Sequence, residues 1–292
     1  MIYINKISII WLCGETMIEL PESYVLADQI NETLKGKMIK EVSVNTHPHA
    51  YAWYSGDTKY YQDRLIGRTI TSSNPGTGYT CGGNTEIVCE DVLLVISTPI
   101  KYHRENEKLP PKYQMLIKFT DSSHISCTVQ MWGAMFCFPK EENGLPEGYK
   151  VNRCPSPLEE GFDETYFEGL VKSTKKSLSA KGFLATEQRI PGLGNGVLQD
   201  ILFHAGINPK TKLEELSDGK LNDMFVSIKS TMLEMKNMGG RDTEKDLFGQ
   251  KGGYVTILSA KTTEKPCIIC GREIVKQNYL GGSVYYCSHC QK

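Results

Sequence analysis

The chain has no excess of positive charge: 33 Lys and Arg stand against 34 Asp and Glu, a formal net charge of −1 at pH 7. A protein that grips nucleic acid over a wide surface neutralises many phosphates and needs a basic excess, so any positive patch here is local. Nor is there an apolar run of bilayer length. The most apolar stretch, residues 7–13, is far too short to span and lacks the small-residue cleavage site of a signal peptide. No membrane segment is therefore expected, and the cytoplasm is the expected compartment. The chain also lacks internal repeats and low-complexity tracts. What remains is 292 residues that are 40% hydrophobic and 23% charged, an ordinary globular composition long enough for two domains and a tail.

Ten cysteines are present, and four of them fall close to the C-terminus as Cys267-x-x-Cys270 and Cys287-x-x-Cys290, separated by residues 271–286. Two such pairs form the ligand set of a tetrahedral structural zinc site holding one ion; disulfides are the alternative reading of the same pattern. Gly281-Gly282 divides the intervening segment into two short strand-like runs. Metal binding supplies such modules with roughly 10–16 kcal/mol of folding free energy, so the tail needs no large core. The other cysteines (Cys13, Cys81, Cys89, Cys127, Cys137 and Cys154) are scattered and read as reduced, packed thiols.

Apolar spacing predicts a helix over 22–35. From Met38 to about Phe138 short β-type runs follow (39–44, 67–72, 92–97, 114–119 and 124–131), with turn signals at Asn74-Pro75-Gly76, Gly82-Gly83-Asn84 and Asp121-Ser122-Ser123. Residues 139–161, with Pro139, Pro146, Pro155 and Pro157, read as a linker, and 163–238 as helical, with Met224, Met232 and Met235 as helix core. Residues 239–265 turn Gly-rich and polar. The expected class is α+β: an N-terminal β-sandwich, a helical domain and a C-terminal four-cysteine zinc finger.

Three separated segments carry the chemistry. These are Met17-Ile18-Glu19-Leu20-Pro21-Glu22 before the first helix, Ile190-Pro191-Gly192-Leu193-Gly194-Asn195-Gly196 running into Leu198–Ala205, and the cysteine tail. The glycine segment fails the GxGxxG spacing of a dinucleotide loop. Taken together and in this order, the three resemble the formamidopyrimidine-DNA glycosylase / endonuclease VIII family over residues 17–292. Residues 1–16 match nothing in that family, so they read as an extension ahead of an initiator at Met17. The resemblance implies a catalytic-type β-sandwich domain over 17–150, a helix–two-turn–helix DNA-binding domain over 151–263, and a zinc finger over 264–292. It also implies damaged double-stranded DNA as the partner of a monomer.

Family enzymes attack the sugar C1′ with an N-terminal proline amine, displace the damaged base and then cleave the strand, with a neighbouring glutamate handling protons. The damaged nucleotide must leave the stack first. Carried over residue by residue, Glu19 falls on the catalytic glutamate, Glu22 on the second acid of the opening motif, and Ile18 on the nucleophile position. Asn195, at a helix start where backbone N–H groups favour phosphate, matches the phosphate-binding asparagine; Gly192 and Gly194 belong to the same loop, and Trp132 stands at the base-wedge aromatic. Gly78 and Gly282 replace the family's phosphate-gripping lysine and arginine, which implies weak DNA binding. Three functions follow from this pattern: a glycosylase with lyase activity, a glycosylase in which Glu19 activates water, or a silent relative that binds DNA or a protein.

Overall fold

The computed structural model describes residues 18–76, 83–130, 132–140, 154–186 and 189–292. Met17 and the segment before it, Gly78, Cys13 and Cys81 lie outside these residues. The first helix, α1 (Leu20–Thr33), starts with Pro at its N-terminal turn and Glu22 near the positive end of its dipole. It serves two cores at once. Leu20 packs with the helical half of the molecule, whereas Leu26 and Ile30 pack with the β half.

Among the described residues, nine strands and one short helix, α2 (Tyr60–Leu65), come between α1 and the helical half. β1 (Ile39–Val44), β7 (Met115–Phe119), β8 (His124–Cys127) and β6 (Ile100–His103) form one sheet, in that order. The second sheet runs β2 (Ala52–Tyr54), β9 (Gly133–Pro139), β5 (Val92–Ile96), β4 (Asn84–Cys89) and β3 (Ile70–Gly76). Apolar residues of both sheets, among them Ile39, Phe119, Leu94 and Met135, share one core with Cys89, Cys127 and Cys137. This is the expected sandwich. Its strand boundaries differ at one informative place: Asn74-Pro75-Gly76, read as a turn, is the end of β3, with Pro75 opposite Thr85. β3 is an edge strand, where a residue without an N–H costs the ladder nothing on its open side.

The helical half consists of α3 (Glu164–Lys172), a π-helical turn over Gly182–Thr186, α4 (Asn195–Ala205) and α5 (Asp218–Asn237). Asp163 caps α3 through the Tyr166 N–H, and Ser217 caps α5 through that of Lys220. Met224, Met232 and Met235 are fully buried. Beyond α5 the chain forms a strap over 238–258, then β10 (Val275–Tyr279) and β11 (Gly282–Tyr286), joined through Leu280 and Gly281. Both linking residues have positive φ, 47° and 75°, the backbone of a two-residue hairpin turn. No helix among the described residues is long and apolar enough to cross a membrane.

Candidate active site at the N-terminus of α4

α4 begins, like every helix, with backbone N–H groups that have no partner within the helix. Here a carboxylate from the far end of the sequence takes them. Glu19 Oε2 accepts from Gly194 N at 3.2 Å and Val197 N at 2.8 Å, and Oε1 accepts from Gly196 N at 2.8 Å. A negative charge at this position also complements the helix dipole. The approach is possible because the loop has no side chains there. A Cβ on Gly194 would lie 2.6 Å from Glu19 Cδ, and one on Gly196 would lie 1.9 Å from Arg241 Nη1. The neighbouring Leu20 N–H donates to the Gly192 carbonyl at 2.8 Å, tying α1 to the same loop.

Arg241 is the cation of the site, and nothing in the sequence singled it out beyond its place after Gly239-Gly240. It is buried, with Nη1 3.5 Å from Glu19 Oε1. Its Nε and Nη2 each donate to Glu22 at 2.9 Å, and its backbone N–H donates to the same carboxylate. Asp200 of α4 fixes the strap that carries Arg241, accepting from the Tyr254 hydroxyl and from the N–H groups of Ile257 and Leu258. Burial pushes the Glu19 carboxyl up and the Glu22 charge adds to this, against Arg241 and the α4 N–H groups, which favour the ion. Glu244, three residues beyond Arg241, is raised to about 7, first by burial and then by Glu22 and Glu19, with Arg241 opposing. Glu19, Gly196, Arg241 and Glu244 line one cavity of about 190 Å³ together with Tyr285.

The sequence-derived candidates do not all gather at this cavity. The N–H groups at the start of α4, expected to face phosphate, are occupied by Glu19 at Gly194, Gly196 and Val197. Asn195 turns its amide toward the hairpin, where Nδ2 donates to the Ser283 carbonyl at 2.9 Å. Gln199, one turn on, donates to the same carbonyl and accepts from Tyr285 N, so side-chain hydrogen bonds join α4 to the hairpin. The Ile18 side chain is 5% exposed and belongs to the sandwich core. Trp132 does not line the Glu19 cavity. It lies beside Tyr51 and Trp53, with ring centroids 4.2 and 5.6 Å away. Gly282 lines the open tip of the hairpin, where Lys181 of the helical half donates to its carbonyl at 3.4 Å.

The sulfur atoms of Cys267, Cys270, Cys287 and Cys290 lie within 4.8 Å of one another. The Cys270–Cys287 and Cys267–Cys290 separations are 3.4 and 3.9 Å, far beyond a disulfide bond and near the ~3.8 Å edge of a tetrahedron built on Zn–S bonds of about 2.3 Å. The cluster fits a tetrahedral metal. Its position is tied to the chain just beyond α4: Cys287 N donates to Gln291 Oε1, whose Nε2 donates to the Ile207 carbonyl.

No family model matches the sequence. Relatives do, over nearly the whole chain. The formamidopyrimidine-DNA glycosylase of Listeria innocua is 30% identical over 281 residues, covering 94% of this chain and 100% of the relative. That of Lactococcus lactis is 28% identical over 283 residues, with coverage of 94% and 100%. Among solved structures, the Lactococcus lactis Fpg in complex with DNA containing N7-benzyl-Fapy-dG superposes with a TM-score of 0.79 at 22% identity, covering 94% of this chain and 99% of that one. The Thermus thermophilus protein gives 0.74 at 19%, covering 94% and 98%. A sandwich, a helical half and a four-cysteine hairpin meet around one buried glutamate, with a full-length relative at this identity, and on those grounds the chain belongs to the formamidopyrimidine-DNA glycosylase family.

Proposed function

We propose that this protein is a base-excision DNA glycosylase that binds damaged double-stranded DNA and releases the base with water rather than with an amine. The observation that carries this reading is Glu19. Its carboxylate is held on the α4 N-terminus and by Arg241, and it lines a cavity at the junction of the two halves and the hairpin. A carboxylate fixed in this way can take a proton from an attacking water without first reorganising. Ile18 lacks the ring amine of proline, and its nitrogen is an unreactive amide while Met17 precedes it, so the strand-cleaving lyase step is left out of this reading. Glu22 serves by holding Arg241.

DNA meets the face around Asn195, with Gly192 and Gly194 allowing Glu19 to approach the loop and Trp132 acting as the wedge beside the displaced base. One zinc ion on Cys267, Cys270, Cys287 and Cys290 has a structural role: it stabilises the hairpin against α4 and takes no part in bond breaking. The protein acts as a monomer, and with Gly282 in place of a cation on the hairpin it binds duplex weakly.

The test is base release from a panel of duplexes, each carrying one oxidised base, with abasic-site trapping by borohydride run in parallel. Free base without strand scission, lost in Glu19→Gln, is expected. A trapped adduct would overturn the water mechanism. No release from any duplex, with binding intact, would leave a DNA-binding relative without activity.

A further inference from the structure

We infer that Glu244 is the second carboxyl of this reaction, the proton donor to the departing base. The inference rests on the hydrolytic reading above and adds a residue to it.

Hydrolysis of an N-glycosidic bond needs a base for the water and an acid for the leaving nitrogen, and two carboxyls can divide that work only if their surroundings differ. Here they do. Burial raises the Glu19 carboxyl, but three backbone N–H groups and a facing guanidinium oppose this and favour its ion, a set of partners that Glu244 lacks. The Glu244 carboxyl has no hydrogen-bond partner among the described residues, and it lines the same cavity as Glu19 and Arg241. Its backbone is held in place by the Glu244 N–H donating to the Arg241 carbonyl at 3.0 Å. Its charged surroundings are Arg241 and Lys261 from the strap and its continuation, and Glu22 and Glu19 from the start of α1. Arg241 already pairs with Glu22 through two hydrogen bonds and reaches Glu19, so one guanidinium is shared by three carboxyls. Releasing the Glu244 proton would set three carboxylates against Arg241 and Lys261, one negative charge in surplus. Its titration near 7 therefore places a populated acid beside the cavity at neutral pH, where a proton donor is most effective.

The step balances. The C1′–N bond breaks and the water oxygen bonds to C1′. Glu19 takes a proton from that water while Glu244 gives its own to the base nitrogen, and solvent returns the proton from Glu19 to Glu244.

Single-turnover base release by the full-length zinc-bound protein tests this across pH, with wild type, Glu244→Gln and Glu244→Asp. Wild-type rates are expected to fall as pH rises through about 7. Glu244→Gln is expected to lose about 100-fold or more and the falling limb, with DNA affinity and zinc content unchanged. Glu244→Asp is expected to restore part of the rate with a shifted limb. The Glu244→Gln loss should shrink on bases that leave readily as anions, a dependence that a packing role would not produce. If Glu244→Gln keeps the wild-type rate and pH profile, the donor assignment fails and the water mechanism stands. If it is slowed equally on every leaving group, Glu244 is structural. If the wild type releases no base, both readings fail together.

Discussion

Arg241 and Glu22, 219 positions apart in sequence, form a two-pronged ion pair inside the protein, with both N···O distances at 2.9 Å. The side chains are 3% and 6% exposed. A buried pair of this kind contributes little net stability over an apolar pair, but losing one partner strands the other's charge. Arg241→Met is therefore expected to cost roughly 3–5 kcal/mol in urea unfolding. The double change Glu22→Leu with Arg241→Met is expected to recover more than half of that. Arg241→Lys is expected to fall between, because an ammonium cannot reproduce the planar fork. Equal losses for the single and double variants would refute the pairing argument.

Gly196 gives a sharper steric test. A methyl group there would sit 1.9 Å from Arg241 Nη1 and 2.8 Å from Glu19 Oε1, inside the contact that joins the two halves. Gly196→Ala is expected to destabilise by about 1–3 kcal/mol, the usual cost of overpacking, despite the better helix propensity of alanine. Gly169 in α3 has open space around its would-be Cβ, so Gly169→Ala is expected to stabilise by about 0.5–1 kcal/mol. Thermal melts of the two variants should move in opposite directions.

These positions also separate what the sequence made legible from what it did not. The sandwich could be read from its short β runs, and the cysteine tail from ligand spacing, because both follow from local pattern. Pro75 misled because a turn signal and an edge strand look alike until the sheet order is known. Glu19 stood out by motif, but its contact with α4 depends on N–H groups 175 to 178 residues away, which no window along the chain contains. Arg241 and Glu244 carried no signal of their own: they lie in a polar stretch with no periodicity, and the distant Asp200 and Glu22 hold the strap at the site. Asn195 was matched to a phosphate-binding position, and the neighbouring hairpin supplies an acceptor for its amide in Ser283.

Metal removal should propagate into α4. The small core under the cysteines contains Phe203 of α4, Leu258 and Tyr285, and Gln199 and Gln291 join the hairpin to the helical half. Without a metal four thiolates cannot share so small a space, and the hairpin has few apolar contacts of its own to hold it. Chelation, or Cys287→Ser, is expected to lower the melting temperature and to increase hydrogen exchange at Tyr285 and around residues 199–207, leaving the sandwich protected. Uniform exchange across the chain, or none, would show that the metal site does not stabilise α4.

Glu244 predicts the direction of a stability change with pH. Its folded value of about 7 lies above the ordinary carboxyl value of 4.5, with burial as the main cause. The folded state therefore binds this proton more tightly than the unfolded chain. Its stabilising contribution is complete below about pH 4.5 and is lost as pH rises through about 7. Glu19, also raised by burial, acts with the same sign. Asp121 acts the opposite way: hydrogen bonds from Lys37 and Ser123 outweigh its burial and hold it down to about 2, so its contribution changes only in stronger acid. Urea midpoints are thus expected to decline from about pH 5 to about pH 8, and Glu244→Gln should flatten that decline and be the more stable protein at the alkaline end. An unchanged slope in Glu244→Gln would mean that the carboxyl is solvated in the folded protein.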